Sequence, residues 1–281
     1  MTVSISWIDQ DGTETAFSGV AAGTVGRGVP PVRPLVTTQP NRSGAVYGGA
    51  LHGVRRISLP FELFGTIAPD GSDVRADVRA WALRLATLTA PGKIRCTTET
   101  GAVREITAWY VGGLELVENL SNYQAATLEF DCPDPYWVDT VDSTDQASGA
   151  SGITSFFPFF PLSLSASEIA AELTIDNTGD LEAWPVISIA GPAESPTLRN
   201  FTTGQLLTLN RTVAAGETVT LDARPGARTA LLQDGTSVYP LLTTRQWWPL
   251  RRGTNRVRLE ATGSTAVTLM SVSYRRRWIT V

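Results

Sequence analysis

Residues Tyr123-Gln-Ala-Ala-Thr-Leu-Glu-Phe-Asp-Cys-Pro-Asp-Pro-Tyr-Trp137 divide the chain into two kinds of sequence. An alternating strand runs into Pro133, and a residue that lacks the ladder N–H and biases its predecessor away from helix ends the strand there. Asp134, between Pro133 and Pro135, becomes a turn residue. Ahead of the junction, strands surround one helix. Behind it come a small-polar stretch, a Phe/Pro segment and a run of short strands. The pattern predicts a mainly β protein of two domains: 1–139, an N-terminal β-rich domain with one α-helix; 140–167, a linker and docking segment; 168–281, an antiparallel β-sandwich.

Within the first part, Val3, Ile5 and Trp7 alternate with polar partners and Asp11-Gly12 turns the chain, which reads as a hairpin. Residues 23–53 are rich in Gly, Pro and Arg, and Val29-Pro-Pro-Val-Arg-Pro34 cannot pair as a central strand. That segment is expected to be an extended arm or long loop, too long for an ordinary connection and completed by an adjacent subunit. Strand character resumes at Val54, with Arg55, Ile57, Leu59 and Phe61 on one face. Val74, Val78, Trp81, Leu85 and Leu88 recur at spacings of four, three, four and three, one stripe of a helix. Ser72 can cap it, Asp73 suits its positive end, and Ala90-Pro91-Gly92 stops it. The sheet continues through Lys93–Thr98, Val103–Val111 and the strand ending at Cys132.

The linker opens with Asp142-Ser-Thr-Asp-Gln-Ala-Ser-Gly-Ala-Ser-Gly152, whose small polar residues are not expected to order unaided. Phe156-Phe-Pro-Phe-Phe-Pro161 should then dock, either as an edge strand on its own domain or against a neighbouring subunit. From Ile169 onward short alternating segments are separated by turns such as Asn177-Thr-Gly179, Ala215-Gly216, Asp234-Gly235 and Arg252-Gly-Thr-Asn255. Evenly spaced short strands with such turns predict the sandwich.

Composition narrows the function. The 281 residues are 42% hydrophobic and 18% charged, with a formal net charge of −4. Binding nucleic acid through a broad basic surface does not fit that balance. Arg55-Arg56, Arg251-Arg252 and Arg275-Arg276-Arg277 read as salt-bridging edges. The N-terminus has neither a basic nor an apolar leader region, and no apolar run approaches the roughly 18 residues that span a bilayer. Synthesis in a cytoplasm is expected, with Cys96 and Cys132 as reduced, half-buried strand thiols.

Candidate chemistry is sparse. His52 is the only histidine, in the glycine-rich Gly49-Ala-Leu-His-Gly53, and suits a loop or interface better than a catalytic base. Gly23-Thr-Val-Gly-Arg-Gly28 leads into prolines and lacks the Lys-Ser/Thr ending of a phosphate loop. Asp131, Asp134 and Asp139 cluster, as do Asp9 and Asp11, but turn positions beside prolines favour local backbone bonding over a glycosidase pair. The adjacent Trp247 and Trp248 would point to opposite faces of a strand. At most one would fill the core, and the other could meet a ligand such as a sugar or cover a sheet edge or a neighbouring subunit. No catalytic, cofactor-binding or metal residues are assigned.

Asp134-Pro-Tyr-Trp137 is followed in order by Asn177-Thr-Gly-Asp180 with Trp184-Pro185, and by Ile187-Ser-Ile-Ala-Gly191. Asn200 with Thr203-Gly204, Ala215-Gly-Glu217 leading to Leu221-Asp222, Asp234-Gly235 and Pro249-Leu-Arg-Arg-Gly-Thr-Asn255 complete the series. This succession resembles the distal tail proteins of long-tailed bacteriophages over nearly the whole C-terminal half, while the N-terminal half matches in layout. The resemblance implies a structural virion protein, made in the bacterial cytoplasm and placed at the distal end of the tail. Its N-terminal domain would be tail-tube-like and form a homo-hexameric ring, so that residues 1–139 assemble without the sandwich. The second domain would be a galectin-like or carbohydrate-module-like sandwich. The ring would join tail-tube protein to tail-tip or baseplate hub proteins. DNA and tape-measure protein would pass through its lumen without sequence-specific contact, and no membrane would be inserted. The alternative is a carbohydrate-binding module that aids host adsorption.

Overall fold

A computed structural model describes residues 4–17, 23–41, 43–64, 72–86, 89–115, 123–149 and 169–281. The expected roles of Val3, Leu88, the Ser72 and Asp73 side chains and Phe156-Phe-Pro-Phe-Phe-Pro161 lie outside the described residues. The chain is mostly β, in two compact units: Met1–Thr140 with Trp278–Val281, and Val141–Arg277.

In the first unit the strands are β1 (Ser4–Ile8), β2 (Glu14–Ala16), β3 (Val32–Thr38), β4 (Ala45–His52), β5 (Arg55–Phe64), β6 (Gly92–Thr97), β7 (Val103–Gly112), β8 (Tyr123–Cys132) and β9 (Trp137–Asp139). Helix α1 (Ser72–Leu85) is the α-helix among the described residues. The main sheet runs β2-β1-β6-β7-β8-β5, with β9 beside β7. Alternation along β5 buries Ile57, Leu59, Phe61 and Leu63, and the helical stripe buries Val74, Val78, Trp81 and Leu85. Trp81 stacks on Phe17 at 4.8 Å and meets Phe61 edge-on at 5.2 Å, so the helix docks through aromatic contacts. β8 stops at Cys132, immediately before Pro133, as its missing N–H requires. Both cysteines are free and buried, and burial pushes the Cys132 thiol up to about 12, which leaves it unreactive.

The second unit is a sandwich. Its strands are β10 (Ser143–Ser148), β11 (Ile169–Asn177), β12 (Val186–Ala190), β13 (Ala193–Asn200), β14 (Gln205–Leu209), β15 (Thr212–Val213), β16 (Thr218–Asp222), β17 (Thr229–Leu232), β18 (Leu242–Arg245), β19 (Gly253–Thr262) and β20 (Leu269–Tyr274). One sheet runs β10-β20-β12-β16-β17 and the other β11-β19-β13-β14-β18, with β15 on β13. Ile187, Ile189, Val219, Leu221, Met270 and Val272 from one sheet share a core with Ile175, Leu198, Leu207, Val257 and Leu259 from the other.

One expectation is corrected here. Ser143–Ser148, read as part of the linker, forms edge strand β10 paired along its length with β20. An edge strand needs only a ladder and one covered face. The backbone bonds to β20 and contacts such as Thr144 Oγ1 to Ser273 Oγ at 2.8 Å supply these without a large apolar payload.

Candidate assembly interface

Between β2 and β5 the chain leaves the first unit's sheet as a separate two-stranded ribbon, β3 paired with β4. Pro34 is tolerated in β3 because each strand of such a ribbon is an edge. The register slips between Leu35, opposite Gly49, and Val36, opposite Tyr47, which leaves Gly48 as the extra residue of a bulge. Gly49 takes φ 132°, a conformation side chains rarely adopt. Val32, Leu35, Val36, Val46, Tyr47 and Leu51 are all exposed along this arm. A two-stranded ribbon is marginal in water on its own, so these side chains call for a cover.

The root of the arm, by contrast, is firmly held. Val25 exchanges backbone hydrogen bonds with Ser58 at 3.0 and 3.1 Å, and Gly53 N–H donates to the Pro31 carbonyl at 2.7 Å. A side chain at Gly26 would run into the Arg56 carbonyl, so glycine is needed for this close approach. Arg55 forms the centre of the root. Only 1% exposed, its guanidinium donates to the carbonyls of Pro135 (2.6 Å), Gly26 (2.5 Å), Gly28 (2.6 Å) and Ile279 (2.7 Å). Burial lowers the Arg55 pKa from its ordinary value, yet arginine starts so high that the ion stays charged and its donors stay in use. The reading of Arg55-Arg56 as one salt-bridging edge is therefore corrected. Arg56 does pair with Asp131 at 2.8 Å, its register partner on β8. Arg55 instead faces inward and serves backbone carbonyls.

The junction motif meets the same root. Pro135 offers its carbonyl to Arg55, the Tyr136 hydroxyl lies 2.8 Å from His52 Nδ1 at the end of β4, and Trp137 is buried in the first core. Asp134 is exposed. His52 is thus a partner of Tyr136. The carboxylates are similarly engaged: Asp9 accepts the N–H groups of Asp11 and Thr13, Asp131 pairs with Arg56, and Asp139 accepts the Trp278 indole N–H at 2.7 Å. Among the described residues no group of three or more His, Cys, Asp or Glu could hold a metal ion.

The expectation for Trp247 and Trp248 also changes. Trp248 is fully buried and Trp247 is 9% exposed, both in the sandwich core. They sit in irregular chain after β18, where strand alternation does not operate, and Trp247 stacks on Tyr239 at 6.3 Å. Neither presents a platform to a sugar.

The remaining sandwich motifs have structural jobs. Asn177, Asn200 and Asn255 are fully buried and bond turn backbones: Asn177 to Gly179, Leu181 and Leu250; Asn200 to Thr202 and Thr203; Asn255 to Arg251 and Gly253. Each of these buried amides thereby satisfies turn backbone groups that the strand ladders leave over.

Residues 178–278, which include most of these turns, match the family model for the siphovirus-type tail component, C-terminal domain. No curated protein sequence matches the chain. Among solved structures, the Dit protein (gp 19.1) of phage SPP1, described as a paradigm of the hub adsorption apparatus in phages infecting Gram-positive hosts, is similar at TM-score 0.71. Identity is 14%, covering 98% of this chain and 99% of that one. A chain of the phage P2 baseplate in its activated conformation with Ca matches at TM-score 0.55 and 10% identity over 100% of both chains. The corresponding strontium structure gives TM-score 0.53 at 11% identity, again over 100% of both. Residues 178–278 therefore match the siphovirus-type tail component by sequence, and the chain as a whole shares the fold of the SPP1 Dit protein.

Proposed function

We propose that this chain is a distal tail hub whose first unit closes into a homo-hexameric ring by laying each β3–β4 arm on a neighbouring copy. The protein is a structural component of the phage tail. The ring would sit at the distal end of the virion tail, with tail-tube protein on one side, tail-tip or baseplate hub proteins on the other, and DNA and tape-measure protein in the lumen. The observation that carries this reading is the arm itself: an exposed apolar ribbon on a firmly held root suits a segment that a second copy completes. The likeness to hub and baseplate chains supports the same reading at the level of fold. The two tryptophans on which a carbohydrate-module reading would rest, Trp247 and Trp248, are packed inside the sandwich.

Mass photometry and negative-stain imaging of the full chain test the proposal. Six-fold rings at micromolar concentration are expected. A protein that stays monomeric at that concentration, with its arm intact, overturns it.

A further inference from the structure

The first unit is completed by residues that follow the whole second unit in the chain: Trp278–Val281 belong with residues 1–140, and Val141–Arg277 lie between them in sequence. Each of these late residues is engaged. The Arg104 guanidinium lies over the Trp278 ring at 4.0 Å, and the Trp278 indole N–H donates to Asp139 at 2.7 Å. The Ile279 carbonyl accepts from Arg55 at 2.7 Å and the Thr280 carbonyl from Arg104 at 2.6 Å. Val281 N–H donates to the Arg27 carbonyl at 3.3 Å. Arg27 lies between Gly26 and Gly28, whose carbonyls Arg55 also holds. The late residues thus reach β7, β9 and both segments of the arm root.

We propose that residues 278–281 are a clasp that sets the arm root, so that the chain can assemble only after the second unit has been made and the clasp has docked. The proposal rests on reading the arm as the assembly element and adds its regulation. A buried guanidinium that loses one carbonyl keeps the desolvation cost without the full return, so the whole set of Arg55 bonds loosens together. Synthesis of the second unit takes on the order of ten seconds at ordinary elongation rates. During that interval an unset arm keeps apolar ribbons on neighbouring nascent chains from pairing in a fixed geometry. Residues 1–139 alone, expected from sequence to assemble, lack the clasp and should not.

The test compares the full chain with a version ending at Arg277, using hydrogen exchange and mass photometry. Exchange at residues 23–31 and 52–56 should rise at least tenfold in the truncated protein, while β12, β16 and β19 keep their protection. The oligomer should fall to monomer. Should the truncated chain be insoluble, Trp278→Ala and Arg55→Lys in the full chain are judged by the same two readouts. Unchanged arm-root exchange with an unchanged oligomer overturns the clasp. A monomeric full chain overturns the assembly reading instead and leaves arm-root exchange to decide the clasp.

Discussion

Val36 and Tyr47 stand directly opposite each other across the arm, and they are 56% and 65% exposed. Residues paired in this way share one face of the ribbon, so together they form a small apolar patch that no described strand covers. Val36→Ser with Tyr47→Ser should leave the unfolding midpoint of the unassembled protein almost unchanged, as exposed substitutions usually stay within about 0.5 kcal/mol. If the patch is an interface anchor, the same pair should weaken assembly by about tenfold or more. Dilution followed by mass photometry measures this. An unaltered assembly curve would remove these residues from the interface.

Gly92 opens β6 at a place where no side chain fits. A Cβ there would overlap the Trp7 ring and approach the Ile8 carbonyl at 2.7 Å. Trp7 is 1% exposed and packs against Phe130 with ring centroids 5.2 Å apart and planes tilted by 33°, so it has little room to move. Gly92→Ala should destabilise the first unit by about 1–3 kcal/mol through overpacking. Urea unfolding followed by near-ultraviolet circular dichroism checks it, with the second unit's transition unchanged.

Much of the fold was legible because period and breakers agree. The stripe Val74, Val78, Trp81 and Leu85 is buried as its spacing requires, and Pro133 follows the last residue of β8. Arg55 was legible too, but misread. It shares a face with Ile57, Leu59 and Phe61, and an arginine on an apolar face signals buried partners; those partners, from residues 26 to 279, are long-range and have no local signature. The tryptophan pair failed for a related reason. Alternation applies only inside a strand, and the chain after β18 is irregular. The strand β10 was hidden because its order comes from β20, over a hundred residues later.

The buried pair of indoles gives a direct stability prediction. Trp248 is fully enclosed in the sandwich core, so Trp248→Ala should cost about 3–5 kcal/mol and leave the first unit's transition in place. Trp247→Phe keeps an aromatic face against Tyr239 and should cost less, about 1 kcal/mol. Differential scanning calorimetry separates the two units. A Trp248→Ala protein as stable as the parent would show that the ring is not packed as described.

Asp222 sets a pH dependence whose sign can be worked out. Burial pushes its carboxyl upward, but the Arg224 guanidinium, with bonds of 2.6 to 3.1 Å, and the Arg224 N–H at 2.9 Å outweigh that effect and hold it below the ordinary value of 3.8. A carboxylate depressed in the folded state contributes stability that is fully present above its unfolded value and is lost as pH falls through the folded one. The partners are two residues apart, so part of their attraction survives in the unfolded chain and the contribution sits at the low end, about 1 kcal/mol. Asp222→Asn should therefore lower the second unit's stability by that amount at pH 7, and the gap from the parent should close below about pH 4. Urea midpoints at pH 7, 5 and 3 measure it, and a gap that stays constant down to pH 3 would mean the Arg224 pairing does not stabilise the folded state.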